Sequence, residues 1–158
     1  MQKITTFLWF DTQAEEAAKF YTSIFKNSRI TSTSHYGDAG PGPKGSVMTI
    51  GFELEGQNFM ALNGGPNYKF TPAISLVIDC KTQDEVDYFW EKLTADGGEE
   101  VQCGWVTDKY GLSWQVIPEG FLDCIMGDDE AGSQRAMQAM FEMKKLDLDA
   151  LRKAYAGA

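Results

Sequence analysis

Residues 4–10, ITTFLWF, are β-branched and aromatic throughout and predict a strand. The spacing of apolar positions changes after Asp11. Ala14, Ala17, Ala18, Tyr21, Ile24 and Phe25 then fall on one helical stripe. Thr12-Gln13-Ala14-Glu15 predicts a capping box at its start, and Asn27 a left-handed stop at its end. Two strands, over 29–36 and 47–54, flank the Gly/Pro-rich segment GDAGPGPKG at 37–45. Glu55-Gly56 marks a tight turn, residues 58–62 return as a strand, and Asn63-Gly64-Gly65-Pro66 closes the unit.

The pattern then recurs. Residues 73–79, AISLVID, predict a second apolar strand. Thr82-Gln83-Asp84-Glu85 predicts a second capping box, 70 residues after the first. Val86, Phe89, Trp90 and Leu93 follow at helical spacing, and Gly97-Gly98 stops the helix. Residues 101–107 and 112–117 predict further strands joined through Asp108-Lys109-Tyr110-Gly111. Strand, helix and strands thus occur twice, which points to internal duplication; the caps repeat at 70 residues while the apolar stripes repeat nearer 69. The tail predicts helices, one with Ala136, Met137, Met140 and Phe141 on a stripe, and a last one capped by Asp147.

Composition narrows the class. A chain of 158 residues that is 43% hydrophobic has the material for a sizeable core. Fourteen Lys and Arg against 23 Asp and Glu give a net charge of -9, with no basic run. Nucleic acid and anionic membrane surfaces are therefore poor partners, and a neutral or cationic small molecule is the expected one. No apolar run approaches a membrane span and no cleavage site follows the N-terminus, so a cytoplasmic location is expected. Cys80, Cys103 and Cys124 show no metal-binding spacing and are expected as reduced thiols.

The segments WFDTQAEEAAKFYTSIFKNSRI, LNGGP, AISLVIDCKTQDEVDYFWEKL, QCGWVTDKYGLSWQVIP and AMFEMKKLDLDAL together resemble the PhnB-like proteins. These carry the label 3-demethylubiquinone-9 3-methyltransferase-like and belong to the vicinal oxygen chelate superfamily. The superfamily also holds glyoxalase I, extradiol dioxygenases and bleomycin-resistance proteins. The resemblance implies an α+β fold of two βαβββ modules, each sheet curling into a half-cup, assembled as a homodimer. On this reading 1–158 is a single domain, with modules at 1–66 and 70–118 and a C-terminal helical extension at 119–158. A methyltransferase would need a strand, a Gly-rich turn and a helix to cradle its cofactor. The segment at 37–45 carries prolines and leads into a strand, which predicts a hairpin loop and no cofactor.

Metal-dependent relatives converge His, Gln or Glu side chains on one divalent ion. Counting 14 residues back from Phe20-Tyr21 carries the first ligand position onto Thr6. The others fall on Ala73 or Ser75, within 60–63, and on Gln115. None of Thr6, Ser75 and Gln115 brings an imidazole or a carboxylate, so no metal is expected. The lone His35 lies in another strand. Strand alternation then turns Ile4, Thr6 and Leu8 inward, together with Ser113 and Gln115, while Trp9 packs under the first helix and Trp114 faces the helices. Thr6, Ser75 and Gln115 either hydrogen-bond a neutral polar ligand or satisfy one another. Trp105 either walls the pocket or packs at an interface, and Cys103 is the thiol nearest the pocket mouth, expected as an inert thiol and not a nucleophile. The expected function is a metal-free small-molecule-binding cup. The alternatives are an enzyme acting on a small oxygenated substrate and an interaction protein whose cup is filled by side chains.

Overall fold

A computed structural model describes residues 2–158. The chain divides into two compact units, one ending at Phe70 and the other Thr71–Ala158. The first unit runs β1 (Thr6–Phe10), α1 (Ala14–Ile24), β2 (Arg29–His35), β3 (Val47–Leu54) and β4 (Gln57–Asn63). The second runs β5 (Ser75–Cys80), α2 (Gln83–Thr94), β6 (Glu99–Glu100), β7 (Trp105–Thr107) and β8 (Ser113–Pro118). It continues through α3 (Phe121–Ile125), α4 (Glu130–Phe141) and α5 (Leu148–Ala156). Each unit holds one four-stranded mixed sheet, in the orders β1-β4-β3-β2 and β5-β8-β7-β6. The expected α+β fold of two βαβββ modules with C-terminal helices is the one observed. No described helix is long and apolar enough to cross a membrane.

In the first unit α1 presents Ala14, Ala17, Ala18, Tyr21 and Ile24, all buried. Three alanines let the helix approach the sheet closely, and Tyr21 stacks over Phe52 at 6.1 Å, which in turn stacks on Phe59 at 5.4 Å. Burying each such ring stabilises the unit by about 1.5–3 kcal/mol. The register Thr6↔Phe59, Leu8↔Ala61 and Phe10↔Asn63 places these residues on the face that α1 covers. Phe7 and Trp9, paired with Met60 and Leu62, take the far face. This reverses the orientation expected for β1. Leu8 is core, and Trp9 does not lie under the helix: its ring packs on Gly64, and its indole N–H donates to the Gly65 carbonyl at 2.9 Å.

The β3–β4 turn is the one the sequence announced. Glu55 and Gly56 both have positive φ, 49° and 81°, the two-residue geometry that suits the right-handed twist of a hairpin. The Gly/Pro-rich segment does join antiparallel β2 and β3, and it wraps Tyr36: a Cβ at Gly40 would fall 2.9 Å from that ring.

The first capping box does not form. Helix α1 starts at Ala14, and its N-cap, Gln13, makes no side-chain capping bond. The Ala14 N–H is instead met by Asn63 Oδ1 at 2.8 Å, from the end of β4. Asn63 also donates through Nδ2 to the Val47 carbonyl at 3.1 Å, and its own carbonyl accepts the Tyr36 hydroxyl. In the second unit the local cap holds, with Glu85 N–H donating to Thr82 Oγ1 at 3.2 Å. The predicted strand over 101–107 is broken. Residues 101–104 form a turn between β6 and β7, with Cys103 at φ 58° and Gly104 at φ 85°. Exposed Phe141 also leaves the stripe expected in α4.

These differences make a direct comparison of caps possible. Asn63→Ala is expected to lower unfolding free energy by about 1–2 kcal/mol, through loss of a cap and a second buried hydrogen bond. Thr12→Ala is expected to change it by less than about 0.5 kcal/mol, as for a surface position. Urea denaturation of the two variants checks this; a larger loss in Thr12→Ala would restore the local cap.

Candidate functional site

In the second unit, α2 contributes Val86, Phe89, Trp90 and Leu93 to the core. Ile78, Cys80, Val106, Trp114 and Val116 are buried and face it. Alternation turns Ser75, Val77, Ser113, Gln115, Trp105 and Thr107 to the far face. Val77 is 55% exposed there, with Ser75, Trp105 and Gln115 half-buried around it.

Gln115 reaches diagonally across the β5–β8 pair and donates from Nε2 to Ser75 Oγ at 2.9 Å. That bond leaves the Gln115 carbonyl oxygen, its second N–H and the Ser75 hydroxyl proton available for further hydrogen bonds. Trp105 is the direct cross-strand neighbour of Gln115 on β7 and supplies a flat apolar wall beside it. Three residues expected at the site thus come together: Ser75, Trp105 and Gln115.

Two expected members lie elsewhere. Thr6 shares the helix-covered face of the first sheet with Leu8. Cys103 sits in the β6–β7 turn, where its N–H donates to the Met143 carbonyl at 2.9 Å and its thiol approaches the Met140 carbonyl at 3.7 Å. Its surroundings are the C-terminal helices. The aromatic group that the sequence reading did not place lies on the far face of the first sheet. Phe7 is 57% exposed there, and Trp9 meets Tyr68 edge to face at 4.9 Å. Its signal was alternation with Leu8 and Phe10, the two β1 residues that pack with the α1 stripe.

The orientation of β8 is fixed by Asp108. Its buried carboxylate accepts from Tyr110 N–H at 2.9 Å, Leu112 N–H at 3.1 Å and the Trp114 indole at 2.8 Å. The turn it closes is the Asp-x-x-Gly seen in the sequence, and Trp114 lies on the helix side as expected.

The Gln115–Ser75 pair does not suit a divalent transition metal. Hydroxyl and carboxamide groups are neutral and weakly donating, and Asn63 spends both side-chain atoms on backbone. Among the described residues no three of His, Cys, Asp and Glu come together as a possible metal set. His35 is exposed on the edge strand β2.

The three thiols differ in environment. Burial, then the charges of Glu85 and Asp79, push the Cys80 thiol up to about 12. Burial raises Cys124 as well, against the opposing pull of Arg152. Both stay protonated and unreactive near neutral pH, while Cys103 is half-buried. In native protein at pH 8 a thiol reagent such as dithionitrobenzoate is expected to label one cysteine quickly, and Cys103→Ser to abolish that phase. Unfolding should release all three; rapid labelling of two or three native thiols would contradict the burial described.

Comparison with known proteins bears on the family and the fold. Residues 2–117 match the family described as 3-demethylubiquinone-9 3-methyltransferase. A PhnB protein from Bacillus cereus is 43% identical, with 74% of this chain and 99% of that one covered and a TM-score of 0.68. A protein from Pseudomonas aeruginosa is 20% identical, covering 75% of this chain and 98% of its own, with a TM-score of 0.62. A fosfomycin resistance protein from Listeria monocytogenes, solved with Mn(II) and sulfate, is 17% identical. It covers 75% of this chain and 91% of its own, with a TM-score of 0.51. The last two show likeness of fold alone. A search of curated proteins found no match.

Proposed function

We propose, from the premise that the chain belongs to the 3-demethylubiquinone-9 3-methyltransferase family of PhnB-like proteins in the glyoxalase and bleomycin-resistance superfamily, that it is a metal-free small-molecule-binding protein. The ligand is neutral, carries a polar head and a flat or apolar body, and lies on the far face of the second sheet. The observation that carries this reading is the Gln115–Ser75 hydrogen bond at 2.9 Å beside Trp105 and exposed Val77. A few convergent polar groups set in apolar surroundings are what orient small ligands.

In this reading Gln115 and Ser75 present one acceptor and two donors to the polar head, so neither has to change protonation state. Trp105 covers the ligand's apolar body. The net charge of -9 repels anions at long range, which disfavours an anionic ligand. No reaction step is assigned: the Gln115–Ser75 pair is a carboxamide and a hydroxyl, neither a general base at neutral pH, and the carboxylates on this face, Asp79 opposite Ile117 and Glu99 opposite Thr107, stand on the two edge strands of the sheet.

Thermal unfolding with a panel of uncharged hydroxylated and aromatic compounds tests the proposal. A true ligand at about a hundred times its Kd is expected to add about 2.7 kcal/mol. For a chain of this size that raises Tm by roughly 5–10 °C. Gln115→Leu and Ser75→Ala are each expected to weaken binding about tenfold, the loss of one hydrogen bond. Mn(II) or Zn(II) alone should leave Tm unchanged. A shift produced by the metal alone, or one that survives both substitutions, would sink the reading.

A further inference from the structure

The family match ends at Ile117, two residues past Gln115, and the chain then enters α3, α4 and α5. These helices bury a cluster of their own: Cys124, Ala136, Leu146, Leu148 and Leu151. Ile117 packs against that cluster. Alternation along β8 places Ile117 on the same face as Ser113 and Gln115. The C-terminal helices therefore reach round the end of the second sheet and touch the face that carries the Gln115–Ser75 pair.

The contact is held from several directions. Cys103 N–H donates to the Met143 carbonyl at 2.9 Å and Gly104 N–H to the Lys144 carbonyl at 2.7 Å. Gln83 donates to the Leu146 carbonyl at 2.9 Å and accepts from Leu148 N–H at 3.0 Å. Lys145 Nζ lies 2.8 Å from Asp87 Oδ1. Gly104 has to be glycine here, because a Cβ would stand 2.9 Å from Leu146 on a backbone already at φ 85°. Backbone pairing of this density makes a fixed wall, not a flap.

We propose that the C-terminal helices, acting through Ile117, close the β8 end of the ligand face and set the length of ligand that Gln115 can hold. The proposal rests on the binding reading above and adds a size limit to it. A strand rises 3.2–3.4 Å per residue, so Ile117 stands roughly 7 Å beyond Gln115. A ligand whose polar head sits on Gln115 can extend toward that end by about one ring before it meets the Ile117 side chain, whose β5 neighbour on this face is exposed Asp79. Ile117 is a specificity-determining residue in this scheme, and the helices behind it hold it in place.

The probes are 4-alkylphenols, from methyl to heptyl, titrated calorimetrically into the full chain. Affinity in the unchanged protein is expected to rise over the short chains and then fall at least tenfold at a definite length. Ile117→Ala should move that cut-off to longer chains, and the milder Ile117→Val should move it less while disturbing packing little. Gln115→Leu should weaken every phenol about tenfold and leave the cut-off where it was. An unchanged cut-off in folded Ile117 variants, or no cut-off at all, overturns the size limit while leaving the binding reading intact. Failure of every phenol to bind the unchanged protein, or insensitivity to Gln115→Leu, overturns both.

Discussion

Each sheet in this chain can bury only one face against its own helix. Side chains alternate along a strand, so once α1 or α2 covers a face, every second residue is committed to the core and the rest are left over. In the first unit the committed set includes Leu8, Phe10, Ile50, Phe52, Phe59 and Ala61. In the second it includes Ile78, Cys80, Val106, Trp114 and Val116. Ser75, Val77, Trp105 and Gln115 are among what remains in the second sheet, with Asp79 and Glu99 on its edge strands, and any chemistry has to come from that remainder. The Gln115–Ser75 pair is itself neutral, and it contributes hydrogen bonding and not proton transfer.

The same constraint explains which parts of the site were legible in the sequence. Both βαβββ modules could be read, because apolar periodicity changes sharply from strand to helix in each. The far face of the second sheet could also be read, since the Asp-x-x-Gly turn anchors the count to β8 itself. The face of β1 could not. The count to Thr6 started on α1 and crossed the connection between strand and helix. Three residues separate β1 from α1, where two separate β5 from α2. The strands therefore correspond at an offset of 70 residues and the helices at 69, as the two repeat lengths in the sequence had suggested. A count that slips by one residue exchanges the two faces of a strand, which is how Leu8 and Trp9 came to be interchanged.

That extra residue has a second consequence. It moves Thr12 off the N-cap position, leaving the first N–H groups of α1 without a local acceptor. Asn63 supplies one from β4, 49 residues away, and ties Val47 and Tyr36 into the same node. The residues after it are committed too. Trp9 packs on Gly64 and bonds the Gly65 carbonyl, and Gly65 sits at φ 97°, where a side chain would be strained. The Asn-Gly-Gly-Pro run thus reads as a structural knot that fixes Trp9. No local spacing rule exposes such a long-range cap, so in the sequence Asn63 reads only as the start of the run that closes the unit. The strand predicted over 101–107 failed for a related reason. Two consecutive residues at positive φ, Cys103 and Gly104, turn the chain so that it can bond Met143 and Lys144.

A ligand face made of leftover positions works only if its register cannot drift. A slip of one residue in β8 would exchange Gln115 with Trp114, putting an indole where the amide should be and burying an amide against α2. Asp108 prevents this by holding two N–H groups of its own turn and the Trp114 indole with one buried carboxylate. If Trp114 moved to the far face, that carboxylate would lose the indole donor while remaining out of water, a state that costs more than the hydrogen bond itself contributes. The position of Gln115 is thus enforced from the opposite side of the sheet. A core residue with no access to ligand decides which atoms the ligand would meet.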